Sequence, residues 1–132
     1  MRCFVDTSAF LAVLNRDDEN HPQAARQWEE VLRDDWDLVT TSYVLVETFA
    51  VCQSRLGMNA ARAFHTDVTP LLRVEWIDAE RHAAAAAAVL AAGKRQLSLV
   101  DCVGFETMRQ LGLNQAFAFD RHFRDQGFTV LP

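Results

Sequence analysis

The sequence has little of what marks disordered, secreted or membrane-spanning chains. Glycine and proline are scarce, 5 and 3 residues in 132. With half the residues hydrophobic, long flexible tracts are excluded and residues 1–132 are expected to form a single globular domain. Cysteine is sparse too. Cys3, Cys52 and Cys102 are odd in number, form no C-x-x-C pair and sit beside apolar residues, which fits reduced core thiols in a cytoplasmic protein rather than a disulfide framework. No charged leader precedes an unbroken apolar segment, because Asp6 divides Phe4-Val5 from Ala9–Leu14, so a secretory signal is not expected. The Ala-rich run Ala83–Ala92 is far shorter than the roughly 20 apolar residues of a bilayer span, and no membrane partner is expected. Positive charge is in deficit: 13 basic against 18 acidic residues leave a net charge of −5, which ordinarily disfavours a polyanionic ligand. Bound divalent cations would reverse the local sign, so the global balance does not exclude one.

What is present is an alternation of short apolar runs with helical periodicity. Cys3-Phe4-Val5 ends on Asp6-Thr7-Ser8, after which Phe10, Leu11, Val13 and Leu14 take helical spacing; a strand therefore runs into a helix with Asp6 at the junction. His21-Pro22 opens a second helix through Ala25, Trp28, Val31 and Leu32. Leu38–Thr41 reads as a strand, Ser42 as the N-cap of a helix Tyr43–Leu56 stopped by Gly57, and Asn59 as the cap of another helix with Ala63, Phe64 and Leu71 inward. Val74–Ile77 is expected to be a strand, followed by an Ala-rich helix from Asp78 and a helix from Ser98 to Gly112. Ala116–Phe119, ending on Asp120, and Phe128–Leu131 bring the total to about five strands. Strands separated by helices predict an α/β fold, a twisted parallel sheet with helices on both faces and ligands bound at the carboxyl ends of the strands. Trp28, Trp36, Trp76 and the phenylalanines read as core or interface.

Four acids stand apart from the polar stretches that hold the others. Asp6 and Asp120 end apolar strands, Glu47 lies within Val44–Val51, and Asp101 lies within Leu97–Val103. An ionised carboxylate against apolar surroundings persists only if it is paired, hydrogen-bonded or bound to a cation, and neither helix offers Arg or Lys at matching spacing. Capping competes as an explanation: Asp6 and Asp120 sit where helices begin, and Ser98-x-x-Asp101 has the form of a capping box. Glu47, about a turn and a half into its helix, is beyond capping reach. A shared cation is the simplest common partner. Clustered carboxylates favour hard ions, Mg²⁺ or Mn²⁺, which can activate water and offset charge during phosphodiester hydrolysis. Arg121, Lys94 and Arg95 are candidates for substrate phosphate contacts, with solvated surface charge as their competing reading. His21, His65, His82 and His122 form no zinc pattern, and His122 reads as a surface or helix-start histidine.

Asp6-Thr7-Ser8, Ser42 with Glu47, Leu97-Ser98-Leu99-Val100-Asp101 and Phe119-Asp120-Arg121-His122-Phe123, in this order, resemble the PIN-domain nucleases, specifically the VapC-type toxins of bacterial toxin–antitoxin pairs. The resemblance covers essentially the whole chain. It implies a metal-dependent endoribonuclease with Asp6, Glu47, Asp101 and Asp120 as catalytic acids and metal ligands, supported by Thr7, Ser42 and Ser98. It further implies an RNA substrate, a VapB-like antitoxin whose C-terminal segment occupies the groove, and a homodimer, for which the helices around Tyr43–Val51 and Ala60–Leu72 offer apolar surface. One departure is visible: Ala118 stands where many members carry Ser or Thr, which puts direct metal ligation by Asp120 in question. The alternatives are a house-keeping RNA-processing nuclease of the same fold, a non-catalytic binding module whose acids only cap helices, and a phosphatase or receiver-like protein. The last lacks the second Asp expected two positions after Asp6.

Overall fold

In the computed structural model, which describes residues 1–132, five parallel strands form one sheet around β1 (Arg2–Val5). The others are β2 (Asp37–Thr41), β3 (Leu72–Glu75), β4 (Gln115–Phe117) and β5 (Thr129–Leu131), in the order β3-β2-β1-β4-β5. Seven α-helices flank the sheet: α1 (Thr7–Leu14), α2 (His21–Arg33), α3 (Ser42–Val51), α4 (Met58–Ala63), α5 (Ala79–Ala92), α6 (Leu99–Leu111) and α7 (His122–Asp125). From β1 the chain adds strands outward on one side and then returns to add β4 and β5 on the other. The strand order thus reverses between β1 and β4, and at such a switch point the loops after the two strands diverge and leave a crevice.

β1 and β4 are almost entirely buried, as expected for central strands of a parallel sheet covered by helices. The side chain of Thr40, buried in β2, donates to the Val5 carbonyl at 2.8 Å, satisfying a hydroxyl that would otherwise be costly there. The core is rich in phenylalanine. Phe4 lies 5.7 Å from Phe123, which stands edge-on to Phe105 at 5.0 Å, while Phe10 is joined to Phe64 and Trp28.

Gly104 of α6 shows how closely helix and sheet approach. A Cβ there would meet Phe4 Cζ at 3.1 Å and Cε1 at 3.3 Å, and Phe4 is fully buried. Overpacking of this kind costs about 1–3 kcal/mol, against at most about 1 kcal/mol gained from replacing a helical glycine. Gly104→Ala is expected to lower the urea midpoint by an amount equivalent to about 1 kcal/mol; an unchanged or higher midpoint would show that Phe4 can yield.

The sequence-based elements are all present, with shifted ends. Thr41, not Ser42, caps α3, its hydroxyl accepting from the Val44 N–H at 3.1 Å; the β-branched residue ends the strand and caps the helix in one step. Asn59 is not a cap either: α4 starts at Met58 from Gly57, and Asn59 lies inside it. The expected helices Tyr43–Leu56 and from Asn59 onward are interrupted by wider π-type turns at Cys52–Leu56 and Phe64–Val68. β3 begins two residues earlier than expected, and β4 stops at Phe117 rather than Phe119. Trp76 is not core: it is 75% exposed beyond the end of β3. No helix is long and apolar enough to cross a membrane.

Candidate metal centre

Asp6 follows directly on β1 and is buried, at 4% exposure. It caps α1, with one carboxylate oxygen, Oδ2, accepting from the Ser8 N–H at 3.1 Å and from the Ser8 hydroxyl at 2.6 Å. The Ser8 hydroxyl in turn accepts from the Phe119 N–H at 2.9 Å, and the Asp6 N–H donates to the Phe117 carbonyl at 3.0 Å. The loops leaving β1 and β4 are therefore tied together around this carboxylate. Ser8 was not among the residues expected at the site. Its place two residues after a capping Asp was legible in the sequence, whereas its bond to Phe119 is purely tertiary.

Asp101 arrives from the other direction, at the third position of α6, and is 7% exposed. The capping box is real: the Ser98 hydroxyl accepts from the Asp101 N–H at 3.0 Å, and the Asp101 carboxylate accepts from the Ser98 N–H at 3.5 Å. Capping and clustering are thus not alternatives here, because the cap geometry is what turns Asp101 toward the crevice. Asp120, half-buried, accepts from the His122 N–H at 2.8 Å. Ligand atoms of Asp101, Asp120 and His122 lie within 4.8 Å of one another. His122 does start α7, as the sequence suggested, but its ring joins the acids, with Nε2 3.8 Å from Asp120 Oδ1.

The electrostatics record the crowding. Burial pushes the Asp6 carboxyl up to about 7, against the lowering effect of the Ser8 hydroxyl bond, and the charges of Asp101 and Asp120 push it further up. Burial also raises Asp101 to about 6, with Asp120 adding to the rise while the Ser98 bonds and His122 oppose it. No lysine or arginine forms an ion pair with either acid. Thr7, buried beside Asp6, has a hydroxyl oxygen without a hydrogen-bond partner. Two buried carboxylates without a lysine or arginine partner, beside an orphaned hydroxyl, are an incomplete arrangement, and the oxygen-dominated donor set fits a hard divalent ion.

None of the remaining expected residues contributes a ligand atom to this group. Glu47 is half-buried on α3 and is not among the charges that chiefly set the pKa of Asp6 or Asp101. Ser42 accepts from the Ile77 N–H at 3.0 Å, joining the end of β3 to the start of α3. Lys94 and Arg95 are exposed in the loop before α6, and Arg121 is exposed beside Asp120. Ala118 is buried after β4.

Residues 3–128 match the family described as PIN domain. The 23S rRNA-specific endonuclease VapC20 of Mycobacterium tuberculosis is 33% identical over 127 residues, covering 96% of this chain and 95% of that protein. The crystal structure of the same toxin, described as cleaving the sarcin-ricin loop, superimposes with a TM-score of 0.87 over 98% of this chain and 99% of that one, at 32% identity. FitAcB from Neisseria gonorrhoeae, at 16% identity and TM-score 0.70 over 100% of this chain and 97% of that one, shares the fold.

Proposed function

The chain belongs to the PIN-domain family, and from that premise we propose that it is a metal-dependent endoribonuclease of the VapC type, held in check by a VapB-like antitoxin. The observation that carries this reading is the gathering of buried Asp101 with Asp120 and His122, beside a buried Asp6 that lies outside that group of ligand atoms but feels the charges of Asp101 and Asp120. Asp6 and Asp101 are the principal holders of the ion, with Asp120 and Glu47 completing its surroundings directly or through water. Thr7, Ser42 and Ser98 support them, Ser98 through its backbone N–H, which donates to the Asp101 carboxylate. Mg²⁺ or Mn²⁺ is the proposed ion, and when bound it supplies Lewis-acid polarisation of a phosphodiester oxygen and acidification of the attacking water.

The chain's own residues do the rest. Ser8 holds one oxygen of Asp6 by two hydrogen bonds, leaving the other free to face the crevice. His122, beside Asp120, is placed to orient that carboxylate or donate to a phosphate oxygen. Arg121, Lys94 and Arg95 are the proposed contacts to substrate phosphates. Ribosomal RNA, the substrate in the name of the VapC20 relative, is the proposed substrate class. The acidic crevice suits an antitoxin segment that carries a cationic side chain into it. Val46 and Phe49, exposed on α3 and lining a shallow apolar groove with Leu45 and Ala50, are the proposed homodimer surface.

The test is cleavage of labelled ribosomal and total RNA by purified protein with Mn²⁺, Mg²⁺ or chelator, beside Asp101→Asn. Cleavage is expected only with a divalent ion and is expected to fall at least about a hundredfold in the variant, since even disturbing the outer partners of a metal ligand typically costs 10–100-fold. Cleavage in chelator, or undiminished cleavage by Asp101→Asn, would refute the proposal.

A further inference from the structure

Next to the carboxylate group, on its β5 side, lies a cleft of about 230 Å³ whose lining includes Gln23, Asp120, Arg121, Arg124, Val130 and Pro132. We infer that this cleft is a backbone-phosphate subsite of the nuclease, in which Arg124 and Arg121 receive the phosphodiester next to the scissile one, so that the RNA strand runs from the acids across β4 toward β5. The inference rests on the endoribonuclease reading and adds to it a direction for the substrate and two residues, Arg124 and Gln23.

Three observations support it. The cleft and the acid cluster share a wall: Asp120 lines the cleft and has a carboxylate oxygen within 4.8 Å of ligand atoms of Asp101 and His122. A phosphate seated in the cleft is therefore a close neighbour of one held at the acids. Next, both guanidinium groups are uncommitted. Arg121 and Arg124, like Arg16, Arg26, Arg55 and Arg95, have no hydrogen-bond or ion-pair partner, and what sets these two apart is that they stand one helical turn apart on the same cleft. The Asp120 carboxylate lines the same cleft without pairing with either guanidinium, and a phosphate can answer both arginines, since a guanidinium fork matches its oxygens bidentately.

Lastly, the chain is acidic overall, at −5, so an RNA substrate needs a local cationic seat beside the acids rather than a general basic surface. The cleft supplies it. Gln23 offers a neutral side-chain donor in the lining, and Val130 and Pro132 offer apolar contact suited to a ribose. The space is several times the ~30 Å³ share of one water, enough for a phosphate with its sugar.

The experiment uses the full chain in two arms. In the first, wild type, Arg124→Ala, Arg124→Lys and Arg121→Ala/Arg124→Ala are compared in Mn²⁺-dependent RNA cleavage. Arg124→Ala is expected to raise KM about tenfold with kcat changed less than about twofold, the size of a lost charge-assisted hydrogen bond, and Arg124→Lys is expected to recover part of the loss. In the second, binding of fluorescein-labelled single-stranded RNA is followed by anisotropy against salt, where removal of one phosphate contact is expected to lower the logarithmic salt slope by about 1. A single methylphosphonate next to the scissile position should abolish the difference between wild type and Arg124→Ala. Absence of cleavage by the wild type with any divalent ion would remove the parent reading. RNA binding and salt slope untouched by both arginine substitutions would overturn the subsite whatever the cleavage result. The subsite is likewise overturned if those substitutions weaken binding of a glutamate-rich peptide and leave RNA binding alone, since the cleft would then serve a protein partner.

Discussion

Asp6→Asn is expected to abolish nuclease activity while making the metal-free protein more stable at pH 8. Asp6 is raised from 3.8 to about 7 by burial and by the charges of Asp101 and Asp120, so at pH 8 the folded protein carries an ion it holds less comfortably than the unfolded chain does. At 1.36 kcal/mol per pKa unit this strain is on the order of 4 kcal/mol. Asparagine keeps an oxygen to accept from Ser8 and carries no charge, so up to a few kcal/mol of added stability at pH 8 in chelator is the expected result, measured as a rise in urea midpoint. At pH 4, where the wild-type carboxyl is largely protonated in the folded state, the two proteins should converge. Activity moves the other way, because the substituted group is one proposed to hold the ion. A variant less stable than wild type in chelator at pH 8 would mean that the carboxylate is not strained, and nothing about its burial would then call for a cation.

The second large effect concerns the wild type alone. Both shifted acids have folded pKa values above their unfolded ones, about 7 for Asp6 and about 6 for Asp101. The folded state therefore binds more protons between about 4 and 7, and stability falls as pH rises through that window. Their stabilising contribution is fully present below 3.8 and is lost by the time pH has passed about 6 for Asp101 and about 7 for Asp6. In chelator, the unfolding midpoint is expected to drop from pH 5 to pH 8. With a saturating divalent ion the slope should flatten or reverse, since at a hundred times its dissociation constant a ligand adds about 2.7 kcal/mol and proton competition weakens above pH 7. Thermal unfolding at pH 5 and 8, with Mn²⁺ or with chelator, checks the sign: a metal-free protein that grows more stable toward pH 8 contradicts it.

Much of this site is legible in the sequence, and the reasons are local. Asp6 and Asp120 are marked by apolar runs that end on a carboxylate, which is what the end of a buried strand looks like, and Asp101 is marked by its serine three residues earlier. Two aspects are not legible. Ser42 has the residue type of a cap, but Thr41 performs the capping because the strand continues to the last residue before the helix, and nothing within a few residues decides between them. His122 looks like an ordinary helix start, and it is one; its approach to Asp101 depends on α6 and α7 meeting at the same crevice, a relation between segments some twenty residues apart. Glu47 shows the converse. Its position in an apolar stretch calls for a partner, and the fold leaves it half-buried on α3, outside the group formed by Asp101, Asp120 and His122.

The five strands point the same way, and every proposed catalytic acid lies in or beyond the loops at one end of them. The turns at the other end, around residues 34–36 and 112–114, carry none of these groups. A fluorophore, surface tether or inserted tag placed in those far turns would be separated from the chemistry by the length of the sheet, which makes that pole of the molecule the natural handle for immobilising it without blunting its cut.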